Sequence, residues 1–494
     1  MITFSDAKNG EKTCAADGKH IHSAYNPSRE ADSFVQRIEA AFNPSAVFII
    51  EPALSYCLPF LRKRFPQAKF CAIRLVKDFA QSDRLWDICI YAEKENDLTE
   101  RLYASFGEEV LCSSLFFAWP GSETAFASET KNVWQAIKNA VSKSRDVLGT
   151  RSYFAKRWLK NSIRFCSYIK KPALIEKGSC DILIAASGPS LKDSLPHIKE
   201  FRGRFYLIAL SSALLPLLSY GISPDLVIST DGGYWAKKHL ALCGMQSDGI
   251  PHAIAAEAAL PLSLMEKAPL IPLCYEDGLE NKILAACGLS AMTARRNGTV
   301  SGTALELAFN LTDRQIFFCG LDLEKSKGFQ HTEPNALSLC NEIKDSRLRP
   351  KESRIAASVC SPSGALDIYR AWFRAESERL GKRMFRLSDN YSFKNSLGAI
   401  KDINWADFEK KCPVCAGKKP ALTFCEEKDS SCAGKIRSVI KDFTKSEDFY
   451  RELFPVETML KNRSLREEEK TLYEKKIAEK SEEVLRELER LIHE

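Results

Sequence analysis

Four short segments carry the residues best suited to chemistry, each at a point where an apolar run gives way to small or polar residues. The first is ILIAASGPSLKDS, Ile182 to Ser194. A buried strand runs into Gly188-Pro189-Ser190, and a helix is predicted from Leu191 with Ser190 as its N-cap. A glycine turn at a helix start directs backbone N–H groups and the positive end of the helix dipole towards an anion. Gly188, Pro189, Ser190 and Leu191 are therefore a candidate phosphate cradle. They equally make an ordinary strand–helix turn with a capping serine, and spacing alone does not separate the two.

The second segment, GISPDLVISTDGGYW, spans Gly221 to Trp235. Its strand delivers Asp231 to the strand end, followed by Gly232 and Gly233. Asp231 could hold a ribose hydroxyl, coordinate Mg²⁺ or position an acceptor, or it could simply organise a turn or cap the next helix. The third, RRNGTVSGTALELAFNL, spans Arg295 to Leu311 and sets Asn297, Thr299, Ser301, Gly302 and Thr303 on a loop before a helix predicted from Ala304. Such a start can take a carboxylate or phosphate, or serve only as a helix start. In the fourth, QIFFCGLDLEKSKGFQH, a strand ends in Gly320-Leu321-Asp322 and a polar loop carries His331. Histidine is scarce here, seven in all. His331 is thus the candidate general base, against the alternative of a histidine with no role.

These segments need a scaffold of buried strands. The predicted strands are Asp181–Ser187, Arg204–Ser211, Asp225–Asp231, His252–Ala256 and Gln315–Asp322, short continuous apolar runs as expected of a parallel sheet covered on both faces. Open α/β sheets bind ligands at the carboxyl ends of their strands, where the candidate residues fall. Upstream, Ala46–Ile50, Lys69–Leu75, Asp87–Ala92 and Ser114–Trp119 alternate with helical stretches and predict a smaller parallel sheet. The first of these ends at Glu51-Pro52, which points a carboxylate at the strand's C-terminal edge. A helical connector runs from Glu129 to Ile169, and Ser464–Glu494 reads as an amphipathic helix packed on its own protein or on a partner, a route to a homo-oligomer. The fold class is α/β: a Rossmann-like central domain (173–404), a smaller N-terminal α/β domain (1–128), a helical connector (129–172) and a helical C-terminal domain (405–494).

Composition narrows the function. Of 494 residues, 45% are hydrophobic and 27% charged, as in globular proteins, which excludes a disordered or fibrous chain. The net charge of +7 arises from 71 basic and 64 acidic residues mixed along the chain, a pattern that argues against a nucleic-acid partner. The first twenty residues contain no apolar h-region, and the most apolar stretch, Leu207–Leu218, is too short to span a bilayer. With seventeen scattered cysteines, these features predict a cytoplasmic protein with reduced thiols and no membrane partner. Cys412 and Cys415 have zinc-knuckle spacing, but Cys425 and Cys432 downstream have six residues between them. Free thiols are therefore the expectation, with zinc as the alternative.

In this order the four segments resemble the central domain of the motility-associated factor (Maf) flagellin glycosyltransferases, a domain shared with hydroxymethylpterin pyrophosphokinase MptE-like proteins. The match rests on Gly188-Pro189-Ser190-Leu191, the Pro224-Asp225…Asp231 strand, the Gly302 loop, and Gly320-Leu321-Asp322-Leu323 followed by His331, with Tyr369, Trp372 and Phe373 similar to the family's aromatic helix. Leu321 replaces the glutamine typical of the family, and Arg386–Ile400 matches only loosely. The resemblance covers roughly 180 to 400. It implies transfer of a nonulosonic, sialic-acid-like sugar from its CMP-activated donor to Ser or Thr of flagellin. On that implication Gly188–Ser190 binds the CMP phosphate, and Asp231, Gly232 and Gly233 line the nucleotide–sugar pocket. Thr299, Ser301 and Thr303 hold the sugar carboxylate, and His331 deprotonates the acceptor or assists the leaving phosphate. Two alternatives stay open: a diphosphate transfer from ATP with Mg²⁺ on Asp231 and Asp322, and a non-catalytic flagellar scaffold or chaperone.

Overall fold

The computed structural model describes the chain except residues 93–97, 276–277, 296–297, 326–328, 361–363, 390–395, 415–416, 426–431, 444–445 and 494; the side chains of 245, 359–360, 364–365, 443 and 492–493 are likewise outside it. Asn297, Cys415 and part of the Arg386–Ile400 segment thus lie outside the described residues. The chain forms two compact units, one from residues 1–155 and 446–483, the other from 156–445 and 484–494.

In the first unit the strands Ala46–Ile50, Lys69–Arg74, Ile88–Tyr91 and Ser114–Ala118 form the expected parallel sheet, in the spatial order 88–91, 69–74, 46–50, 114–118. A three-stranded antiparallel sheet (Ile2–Asp6, Lys12–Ala16, Lys19–His20), not expected from the sequence, accompanies it. Glu51 follows the first parallel strand, but its carboxylate does not reach a solvent-facing edge. It is fully buried and meets the equally buried Arg74 guanidinium at 2.9 Å. It also accepts hydrogen bonds from the backbone N–H of Leu75 at 2.8 Å and of Val76 and Ala53, each at 3.2 Å. Asp83 meets Arg74 Nε at 2.8 Å. Glu51, Ala53 and Ser55 all have positive φ, a costly conformation for residues with a Cβ, so this internal ion network holds a strained loop in place.

The second unit is built on nine parallel strands, in the spatial order 292–294, 270–275, 252–255, 226–229, 205–210, 181–185, 316–319, 384–387, 401–403. The five strands expected from the sequence are present, each shorter at its end than predicted. Every residue of Asp181–Ala185, Phe205–Leu210, Leu226–Ser229, His252–Ala255 and Ile316–Cys319 is buried, which explains their unbroken apolar runs. From Asp181–Ala185 the chain first builds the sheet outward in one direction. It then returns through the helix Val300–Leu311 to add Ile316–Cys319 on the other side. That reversal creates a switch point between these two strands, the edge at which sheets of this kind form their ligand crevice.

A single helix, Ala127–Tyr168, covers the predicted helical connector up to Tyr168, and Glu467–His493 lies inside the predicted Ser464–Glu494 span. In the latter helix Ile477, Val484 and Leu488 are buried whereas Leu472 is half exposed, so most of its apolar stripe packs within this chain. Among the described residues no helix is long and apolar enough to cross a membrane.

Candidate functional site at the switch point of the central sheet

Ala186 and Gly320 open the two loops at the switch point. Gly188 N–H donates to Gly320 O at 2.9 Å, and a Cβ on Gly188 would lie 2.4 Å from that oxygen. Gly320, at φ +67°, would bring a Cβ to 2.2 Å from Ala186 O. These two glycines therefore allow two backbones to touch, a need that excludes any side chain at either position.

Beyond this contact Asp322 caps the other loop. Its Oδ2 accepts from Ser190 N–H at 2.8 Å, and its Oδ1 accepts from the Ser190 hydroxyl. This bears on two expectations. The helix does begin at Leu191, but Ser190 has helical backbone angles and its hydroxyl caps no amide, because it is spent on Asp322. The amides expected to cradle a phosphate are likewise engaged inside the protein, by Gly320 O and by the Asp322 carboxylate, which takes the place at the helix start that an outside anion would need. Leu191 N–H returns to Gly188 O at 2.9 Å. Burial raises the Asp322 carboxyl to about 6, against the lowering effect of the two Ser190 hydrogen bonds.

The open side of the crevice is lined by hydroxyls and imidazoles. Ser187, after the Asp181–Ala185 strand, shares a 2.8 Å hydrogen bond with Ser212, at the start of the Ser211–Ser219 helix. Ser187 Oγ also lies 2.7 Å from His331 Nδ1. The next residue, Thr332, ties the His331 loop to the turn: its N–H donates to Ser187 O at 2.7 Å and its hydroxyl to Gly188 O at 2.6 Å. The His239 ring, on the Tyr234–Ala241 helix, is centred 6.2 Å from that of His331. Burial, reinforced by His239, depresses the His331 imidazole to about 4, and burial also lowers His239, so both are neutral at pH 7. In the tautomer that carries its hydrogen on Nδ1 and donates it to Ser187 Oγ, Nε2 of His331 is the atom left to accept a proton.

Asp231 follows the Leu226–Ser229 strand and is exposed; its Oδ1 accepts from Gly233 N–H at 2.7 Å, so it organises the turn that starts the Tyr234–Ala241 helix. Burial and the charge of Asp231 together raise the Tyr369 phenol, which puts Tyr369 within electrostatic reach of that carboxylate. Gly232 has a packing role: a Cβ there would lie 2.6 Å from Trp158 on the long helix. The third predicted group sits at the start of a helix that begins at Val300 rather than Ala304, with Thr299 as its N-cap and Ser301, Gly302 and Thr303 buried within its first turn. The loop reads as longer in sequence because glycine and β-branched residues disfavour helix interiors. Thr303 Oγ1 is 3.4 Å from both Arg295 O and Thr299 O, which makes it a brace for its own loop.

The structure thus joins Gly188, Ser190, Gly320 and Asp322 directly, links His331 to them through Ser187, and sets Asp231 at the end of a strand of the same sheet. Sequence reasoning missed Ser187, Ser212 and His239. Ser187 and Ser212 follow the apolar runs of adjacent strands at nearly the same place, a signal legible only once the strands are known to be neighbours. Leu321, which replaces the family's glutamine, is buried and offers no polar group. As for zinc, Cys412 is buried with its thiol towards Arg204 O, whereas Cys432 points towards Cys287 O. Among the described residues no three His, Cys, Asp or Glu side chains gather as a metal site.

Residues 156–328 match the protein family described as 6-hydroxymethylpterin diphosphokinase MptE-like. An uncharacterized protein of Treponema pallidum (strain Nichols) is 28% identical over 338 residues, which is 67% of this chain and 73% of that protein. The solved structure of the Maf glycosyltransferase from Magnetospirillum magneticum AMB-1 aligns over 100% of this chain and 90% of that one, at 13% identity and a TM-score of 0.48. The chain therefore carries an MptE-like domain, the central domain that its resemblance to the Maf group predicts.

Proposed function

We propose that this protein is a glycosyltransferase that moves a nonulosonic sugar from its CMP-activated donor to Ser or Thr of flagellin, in the service of flagellar assembly and motility. The observation that carries the reading is the Ser212–Ser187–His331 chain at the switch point of a large parallel sheet, where α/β proteins bind nucleotides. Group transfer to a hydroxyl needs an acceptor for its proton, and Nε2 of a neutral His331 is such a group, held in one orientation by Ser187. With the Gly188 and Ser190 amides engaged, the donor phosphate in this reading meets the Ser187 and Ser212 hydroxyls. Asp231 holds a ribose or sugar hydroxyl beside Tyr369. The start of the Val300–Leu311 helix offers its positive dipole end to the sugar carboxylate.

A second reading, diphosphate transfer from Mg·ATP, is favoured by the family match alone. It asks Asp322 to ligate the metal, yet both oxygens of Asp322 are committed to Ser190. Calorimetric titration with CMP, and separately with Mg·ATP, tests the two. Micromolar CMP binding supports nonulosonate transfer, and ATP binding without CMP binding moves the assignment to the kinase. Silence with both leaves a non-catalytic flagellar protein. For the transferase, His331→Ala should lower the rate of sugar transfer by roughly 100-fold or more with little change in CMP affinity. Full transfer activity in this variant would remove the base assignment.

A further inference from the structure

We infer that Trp235 is the stacking platform for the base of the nucleotide donor, and so a binding residue of the crevice. The inference rests on the nucleotide–sugar reading above. Trp235 is 40% exposed, the most exposed of the seven tryptophans; Trp86, Trp119 and Trp405 are almost wholly buried. An exposed indole leaves a large apolar area in water, which calls for an explanation that a core tryptophan does not.

Its position supplies one. Trp235 lies in the first turn of the Tyr234–Ala241 helix, whose N-cap, Gly233, binds Asp231 Oδ1 through its N–H at 2.7 Å. Residues four apart stand one above the other on a helix, so Trp235 shares a face with His239. His239 is the residue whose ring approaches His331, at 6.2 Å between centroids. The face that meets the His331 loop at one turn therefore presents an indole one turn nearer Asp231. Tyr234, beside it, is exposed as well and lies roughly perpendicular to the indole with ring centroids 5.3 Å apart, so it braces the indole from one side.

A second observation favours a stacking surface in donor binding. A nucleotide in an α/β crevice is ordinarily anchored by its phosphate on the first strand–helix turn. Here Asp322 and Gly320 hold those amides. With the phosphate left to the Ser187 and Ser212 hydroxyls, a base offers further affinity through an aromatic face that an indole can cover in a sequence-tolerant way.

The test compares the wild-type protein with Trp235→Ala and Trp235→Phe by titration with CMP and with ribose 5-phosphate, which carries a sugar and phosphate but no base. CMP should quench the intrinsic fluorescence of the wild type. Trp235→Ala should weaken CMP binding by roughly 5- to 100-fold, the range for loss of one base–aromatic stack. Trp235→Phe should keep most of the affinity and lose the quench, and all three proteins should bind ribose 5-phosphate alike. Equal CMP affinity in wild type and Trp235→Ala overturns the platform and leaves the nucleotide–sugar reading standing. A parallel loss of ribose 5-phosphate binding overturns it too, since the effect would then not act through the base. No CMP binding by the wild type overturns both together.

Discussion

Asp322→Asn should change the pH dependence of stability in a way that isolates one buried carboxylate. Asp322 is 3% exposed and its carboxyl titrates at about 6, against 3.8 for an unburied aspartate, with burial as the largest cause. A folded-state value above the unfolded one means that the native protein holds the proton more tightly. The associated stability is fully present below pH 3.8, is lost as pH rises through about 6, and is gone above it. The shift corresponds to about 3 kcal/mol at pH 7. Asparagine has nearly the same shape: its Oδ1 can accept from Ser190 N–H and its Nδ2 can donate to Ser190 Oγ, with no charge to titrate. The variant should therefore gain about 2.4 kcal/mol on the wild type between pH 4 and pH 7.5, on top of a constant offset for the altered hydrogen bonds. Amide hydrogen exchange of the peptide covering Asp181–Ala185, read for both proteins at each pH, measures that difference while other titrating groups cancel. A difference that stays flat within about 0.5 kcal/mol over this range would refute the claim that burial dominates at Asp322.

Two further predictions concern packing and charge. Gly188→Ala should destabilise the central unit by roughly 1–3 kcal/mol, because its Cβ meets the Gly320 carbonyl and the Asp322 carboxylate. Gly149→Ala, in the long helix with nothing within 4 Å of the new methyl, should instead stabilise by about 0.5–1 kcal/mol; melting temperatures that move in the same direction for the two would contradict this. Arg74→Met leaves the buried Glu51 carboxylate without its cation and should destabilise the N-terminal unit by roughly 3–5 kcal/mol. Adding Glu51→Gln should recover part of the loss in thermal denaturation, and a double variant no better than the single would exclude the ion pair as the cause.

Much of this architecture was present in the sequence because its determinants are local. A strand buried on both faces must be apolar at every position, so Asp181–Ala185, Phe205–Leu210 and Ile316–Cys319 could be read without knowing their neighbours. Leu270–Tyr275 escaped notice because Pro272 lies within it, and a proline argues against an interior strand until its missing N–H is seen to be tolerated there. The short strands Met292–Ala294 and Lys401–Ile403 contain too few residues to show a period.

The candidate site divides along the same line. Residue types and strand ends made Gly188, Ser190, Asp231, Asp322 and His331 visible, since small and polar residues after an apolar run mark the carboxyl edge of a sheet whatever its strand order. What each does was decided by partners far away in the chain. Asp322 is 132 residues from Ser190, and His331 is 144 from Ser187. Only the return of the chain to the other side of its first strand brings them within hydrogen-bond reach. A hydrogen bond depends on the position of both ends, and a one-dimensional sequence specifies the chemistry of each end without their distance. The sequence alone therefore determined an α/β protein with a polar strand-end rim. Tertiary structure decided that its helix-start amides hold an internal carboxylate, and that His331 is neutral and aligned by a serine.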